Sequence, residues 1–188
     1  MSLHVRAYLW YKFLNSLFFG LSVGGVFVLY APLDPSIFSL GGVALAVGLL
    51  LVAKFYEKMM NLLVFYRVTF LVESVTLLIV TSFLIFRYSY ISVLSIYLLY
   101  QVVFVFGNYL VRFESLTLHR ASLLSLTDVA KQKGYLGGLV LSYLFYKMLE
   151  YIDITDKQVQ VVYLHGLLLV LQGVILYSVY LSFRKTNL

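Results

Sequence analysis

The sequence predicts an all-α polytopic membrane protein in which residues 1–188 form a single six-helix transmembrane domain. Composition is the first reason: 62% of the residues are hydrophobic and 12% are charged, whereas soluble domains have about 45–50% and about 25%. The second is that apolar stretches of about 20 residues, the length a helix needs to cross the hydrocarbon core, follow one another with short connections. We therefore expect the lipid bilayer to surround the chain.

Six stretches have this length, and each is predicted to be a membrane-spanning helix. The first is expected to stay in the protein rather than be a cleaved signal peptide, because Lys12 and Asn15 interrupt its beginning. Between the first two spans, Pro32 and Pro35 stop helices and Asp34 favours a turn. Spans one and four each carry an amide beside a glycine, but the two halves show no further similarity. The predicted spans are 7–30, 37–56, 60–86, 90–112, 119–149 and 160–182.

The lysines and arginines predict the orientation of these spans. Eleven of the 14 fall at one set of helix ends, together with both termini, and three fall at the other. Cytoplasmic ends carry the excess of positive charge, so both termini are expected in the cytoplasm, with the bacterial inner (plasma) membrane as the location. The net charge of +6 is thus explained by the orientation of the spans in the membrane, and no nucleic-acid partner is expected. The three at the other ends are Arg87, Lys147 and Lys157.

Glu73 lies near the middle of the third span and is the main candidate for proton or ion coupling. A carboxylate at that depth costs roughly 2.5–3.5 kcal/mol and commonly marks an ion or proton pathway. Because burial disfavours the charged form, Glu73 is a side chain that can hold a proton at neutral pH. The alternative is a hydrogen-bonded residue that holds helices together. His165 in the sixth span is a second candidate, with a packed histidine as its alternative.

Polar residues on three other spans are candidates for binding a solute. Asn15 on the first span and Gln101 and Asn108 on the fourth lie on otherwise apolar helices, where an amide must find a hydrogen-bonding partner. Asp128 and Lys131 begin the fifth span and are predicted to line an inner vestibule. For the first span, the alternative is tight packing of small residues against a neighbouring helix. For the fifth span it is a solvated helix end.

Catalysis and metal binding are not indicated by the sequence. The chain has no cysteine and three scattered histidines, and no carboxylate pair or Ser/His pair stands out. We expect no catalytic residue, no metal and no cofactor.

Three motifs around the fourth and fifth spans carry a family resemblance. They are G-N-Y-L at 107–110, R-A-S-L-L-S-L at 120–126 and G-Y-L-G-G at 134–138. In this order they resemble the passage from the fourth to the fifth helix in the major facilitator superfamily. With six spans and inward termini, the chain is similar to the amino-terminal half of such a transporter.

The resemblance implies a function and a role for several residues. In that architecture two halves lie in parallel, the first and fourth helices line the cavity, and the second and fifth helices meet the opposite half. Asn15, Gln101 and Asn108 would then face the substrate, and the glycines of 134–138 would face the partner half. We expect half of a secondary transporter that moves a small polar solute by alternating access, as a parallel homodimer or with another six-helix half. The alternatives are a non-transporting membrane scaffold or assembly protein and, least favoured, a membrane enzyme.

Overall fold

The computed structural model describes residues 2–26 and 33–184, which form a helical bundle. Its long helices match the predicted spans to within a few residues, and residues 27–30 of the first span lie outside the described ranges. A short helix, α3, lies between the second and third of them. The elements are β1 (Ser2–Leu3), α1 (Val5–Val26), α2 (Pro35–Lys54), α3 (Tyr56–Met59), α4 (Leu62–Phe86), α5 (Tyr90–Thr117), α6 (Ala121–Tyr151), α7 (Lys157–Ser182) and β2 (Phe183–Arg184).

Local sequence signals explain where several helices begin. Asn61, Ser89 and Asp156 cap α4, α5 and α7, because their side-chain oxygens accept hydrogen bonds from backbone N–H groups in the first turn. Pro35 is the first residue of α2, a position that suits proline because the N–H there has no partner within the helix. Of the predicted turn residues, Asp34 precedes α2 as expected, and Pro32 lies outside the described residues.

Within the described ranges, four of the long helices, α2, α4, α5 and α7, are long and apolar enough to cross a membrane. These four are consistent with an integral membrane protein. Glycine and polar residues make α1 and α6 less apolar, and six spans therefore remain a prediction.

The two ends of the described chain lie together. β1 pairs antiparallel with β2, with Ser2 opposite Arg184 and Leu3 opposite Phe183, and the backbone N–H of His4 donates to the carbonyl of Ser182 at 2.9 Å. Both ends therefore lie on the same side of the bundle, as an even number of crossings requires. Which side is cytoplasmic remains a prediction.

The principal contacts between long helices follow a regular scheme. Helix α1 packs against α6 and α7, α4 packs against α5 and α7, and α2 packs against α5. If α1, α2 and α4 are replaced in that order by α5, α6 and α7, and the reverse, the same set of contacting pairs results. The sequence showed almost no sign of such a repeat.

The contact between α1 and α6 is the most extensive one, and glycines bring the two backbones together. A Cβ atom on Gly134 would lie 2.2 Å from the carbonyl oxygen of Phe13, and one on Gly138 would lie 2.3 Å from that of Leu17. On the other helix, a Cβ on Gly20 would lie 2.3 Å from a carbonyl oxygen of α6. Small residues at an interface allow this close approach.

These distances correct one expectation about the glycines of 134–138. Gly134 and Gly138 do not face a partner half, because the backbone of α1 occupies that side of α6. Glycine spacing predicts that another helix approaches closely, but it does not say whether that helix belongs to the same chain.

Candidate functional site

The carboxyl group of Glu73 is buried in α4, and hydrogen-bond donors from two other helices surround it. The hydroxyl of Tyr11 and the amide Nδ2 of Asn15, both on α1, donate to Oε1 at 2.8 Å. From α7, Nε2 of Gln172 donates to Oε2 at 2.8 Å and to the backbone carbonyl of Glu73 at 2.9 Å. Three donors suit an ionised carboxylate, which only accepts hydrogen bonds. The structure thus supplies the partners that the sequence left open.

Two polar atoms near this group are buried without a partner among the described residues. They are Oε1 of Gln172 and Oγ1 of Thr69, which lies one helical turn before Glu73 on the same face of α4. Most buried polar atoms in proteins are hydrogen-bonded. Both oxygens can accept a hydrogen bond.

A second carboxylate, Glu114, forms an ionic cluster near the end of α5. The hydroxyl of Tyr8 donates to its Oε2 at 2.6 Å, Lys12 forms an ion pair with the same oxygen, and Nζ of Lys131 lies 2.5 Å from Oε1. Asp128 lies 3.5 Å from Lys131. The cluster joins α1, α5 and α6. Sequence reasoning missed Glu114 as a site residue, although a carboxylate beside the basic residues at the end of the fourth span was an available signal.

One face of α1 connects the two carboxylates. Tyr8 and Lys12 contact Glu114, whereas Tyr11 and Asn15 contact Glu73. Residues three and four positions apart share a face of a helix, which explains why these side chains follow one another along α1. We call the four side chains Tyr8, Tyr11, Lys12 and Asn15 the α1 polar face.

His165 lies apart from this network. It is buried in α7, its Nδ1 lies 2.8 Å from the carbonyl oxygen of Val161, and its ring centre lies 4.1 Å from that of Phe83. This geometry matches the alternative of a packed, hydrogen-bonded histidine. A coupling role for His165 remains a prediction.

The five predicted solute-binding residues lie in three places within the chain. Asn15 contacts Glu73, and Asp128 and Lys131 belong to the Glu114 cluster. On α5, Oε1 of Gln101 is shielded and has no partner in the described structure, and Asn108 is exposed at a shallow surface pocket. One chain alone does not bring the five together.

The Glu114 cluster allows a prediction about its two lysines. The Lys12→Met variant should lower the free energy of unfolding by about 1–3 kcal/mol, because it leaves a buried carboxylate with one cation fewer. The side chain of Lys131 is 30% exposed and that of Lys12 is 15% exposed, so Lys131→Met should cost less than about 1 kcal/mol. Unfolding of both variants in the same detergent measures the difference. A larger loss for Lys131→Met would contradict this account of the cluster.

No protein-family model matches the chain, and no curated protein or solved structure is significantly similar to it. The resemblance to a major facilitator half therefore rests on the motifs within 107–138, and functional inference rests on the residues of the chain itself.

Proposed function

We propose that the chain is one half of a secondary transporter, and that two copies in parallel move a small polar solute by alternating access. The observation that carries this proposal is the position of two amides, Gln101 and Asn108, on α5.

Helix α5 has 28 residues and is about 42 Å long at 1.5 Å per residue, compared with about 30 Å for the hydrocarbon core. Gln101 lies near its middle and Asn108 about two turns further on, so both lie at hydrocarbon depth. Asn108 is exposed, and Oε1 of Gln101 is shielded without a partner among the described residues, so both amides lack hydrogen bonds that they would make in water. This face of α5 thus requires a second protein surface or a water-filled cavity, and a cavity between two copies provides both.

The helix contacts support a transporter half. Transporters of this kind are built from inverted three-helix repeats, and the principal contacts here are unchanged when the first three long helices are exchanged with the last three. Since both ends of the chain lie on one side, two copies related by a two-fold axis along the membrane normal would form a closed assembly.

Helix α2 is the surface that we propose for pairing, now that the glycines of α6 are assigned to α1. Four small residues lie along its exposed side, at spacings of three, four and seven residues, which place them on one helix face. Such a surface allows another helix to approach closely, and a Cβ on Gly42 would meet no atom within 4 Å in the single chain. The four are Ser39, Gly42, Ala46 and Ala53.

Glu73 is the residue that we propose for coupling transport to a proton. Its three donors favour the ionised form, and a change in the packing of α1 or α7 that removed them would favour the protonated form, as burial does. The α1 polar face then connects Glu73 to the Glu114 cluster at the end of the bundle that carries both termini.

The topology of this proposal has a direct test, because the chain contains no cysteine. A membrane-impermeant maleimide applied to intact cells should label Thr155→Cys, in the connection between α6 and α7, and should not label Ser2→Cys. The reason is that cytoplasmic termini place the two positions on opposite sides of the membrane. Labelling of Ser2→Cys without permeabilisation would contradict the predicted orientation.

Transport itself is tested with purified protein in liposomes loaded with a pH-sensitive dye. With an imposed pH gradient, at least one member of a panel of small polar solutes should increase the proton flux, and the Glu73→Gln variant should lose this increase. If a solute crosses at the same rate in both proteins and without regard to the gradient, coupling through Glu73 is wrong.

The second candidate is a non-transporting membrane scaffold or assembly protein. It is favoured by the three donors around Glu73, because a carboxylate bonded to α1 and α7 also serves to hold these helices together. A panel in which no solute crosses, with a folded protein and intact pairing, would favour this candidate.

A further inference from the structure

A cavity of about 330 Å³ lies within the single chain, between α1, α2, α4, α5 and α7. This volume is at the lower end of the range of small-molecule sites, about 300–1,000 Å³. Aromatic rings form much of its wall, contributed by Phe18, Phe38, Phe83, Tyr97 and Tyr100. It is separate from Gln101 and Asn108, on which the proposed function rests, because neither side chain lines it.

The cavity does not suit a charged ligand. Among the described residues that line it there is no aspartate, glutamate, lysine or arginine. A charge buried without a partner is strongly unfavourable. Aromatic and aliphatic walls favour an apolar, planar molecule of modest size.

Most polar side chains of the wall have already donated their hydrogens to the protein. The hydroxyl of Ser22 donates to the carbonyl of its own helix at 2.9 Å, that of Thr76 does so at 3.0 Å, and that of Tyr97 donates to the carbonyl of Phe38 at 3.1 Å. Each oxygen keeps a lone pair for a ligand.

His165 follows the same rule. With Nδ1 donating to the carbonyl of Val161 at 2.8 Å, the neutral ring keeps Nε2 as an acceptor. Tyr100 is different, because its hydroxyl has no hydrogen-bond partner in the described part of the chain and can also donate. The wall therefore offers several acceptors and one donor.

We propose that this cavity binds an uncharged, largely apolar ring compound that presents an N–H or O–H donor. The aromatic wall sets the shape and the apolar character, the absence of charged side chains sets the charge, and the remaining lone pairs set the requirement for a donor. The site belongs to each chain and does not depend on whether two chains transport a solute.

The test uses two probes that differ in the donor alone. Indole has a ring N–H, and benzofuran has nearly the same shape with an oxygen in that place. Equilibrium dialysis against the full-length protein in lipid nanodiscs, with empty nanodiscs subtracted, should give tighter binding of indole by roughly fivefold, the effect of one hydrogen bond. Binding of indole no greater than to empty nanodiscs, or equal binding of both probes, would overturn the proposal.

Three substitutions test the location of this site. Val80 lines the cavity, so Val80→Trp should fill it and reduce indole binding at least tenfold. Leu78 is 55% exposed on the same helix, so Leu78→Trp should leave indole binding unchanged. Val93→Phe fills the cavity from α5 and replaces Val80→Trp if that variant does not fold. Undiminished binding in a folded cavity-filling variant would show that indole binds elsewhere.

Discussion

Replacing Gly138 with alanine is expected to reduce the free energy of unfolding by about 3 kcal/mol or more, at the upper end of what overpacking costs. The new Cβ would lie 2.3 Å from the carbonyl oxygen of Leu17, 2.8 Å from the amide nitrogen of Leu21 and 2.9 Å from the Cα of Gly20. All three are backbone atoms of α1, so no side-chain rotation relieves the overlap. The two helices must separate along their most extensive contact.

Gly137 provides the matched control for this substitution. A Cβ on Gly137 would meet only the terminal Cδ1 atom of Leu17, at 3.4 Å, and this atom belongs to a flexible side chain. Gly137→Ala should therefore change stability by less than about 1 kcal/mol. Reversible unfolding in mixed detergent micelles measures both variants, and equal stability of the two would show that α1 and α6 are not in backbone contact.

The Glu73→Gln variant is expected to lose stability, and with it the pH dependence of the uptake proposed above. Glutamine brings an NH₂ group toward Nε2 of Gln172, so two donors face each other unless the Gln172 amide rotates and gives up its bond to the backbone carbonyl of residue 73. A buried donor without an acceptor costs about 1–3 kcal/mol. The pH dependence disappears because the variant has no group at position 73 that titrates.

A compensating substitution separates the two effects. In Glu73→Gln with Asn15→Asp, the new aspartate accepts a hydrogen bond from the glutamine, and roughly half of the lost stability should return, as expected for contacting residues in a double-mutant cycle. Uptake should regain its pH dependence only if a carboxylate on α1 can replace the one on α4. Full stability of the single variant would contradict the donor arrangement, and unchanged pH dependence of its uptake would exclude Glu73 from coupling.

The sequence predicted the positions of the long helices well because hydrophobic length is a local property. The capping residues Asn61, Ser89 and Asp156 are local signals too, although the prediction did not use them. The depth of Glu73 within its span was likewise visible from its distance to the charged ends of the helix.

The partners of these residues were not predictable from one sequence. Helical spacing shows which residues share a face, but not how each helix is rotated against its neighbours. His165 and Gln172 lie seven residues apart on one face of the sixth span, yet of the two only Gln172 hydrogen-bonds to Glu73. For the same reason the glycines of α6 were assigned to a partner half, although α1 covers Gly134 and Gly138.

The number of copies in one membrane assembly tests the central claim most directly. Protein that carries a fluorophore at Thr155→Cys is reconstituted at low density in liposomes. The fluorescence of a single assembly should then disappear in two photobleaching steps. With Gly42→Leu, most particles should bleach in one step, because the larger side chain prevents another helix from approaching α2 closely. Gly166→Leu is the control and should leave two steps. A Cβ at either glycine would meet no atom within 4 Å in one chain. Single-step bleaching of a labelled protein that still transports a solute would contradict the account that two copies make one transporter.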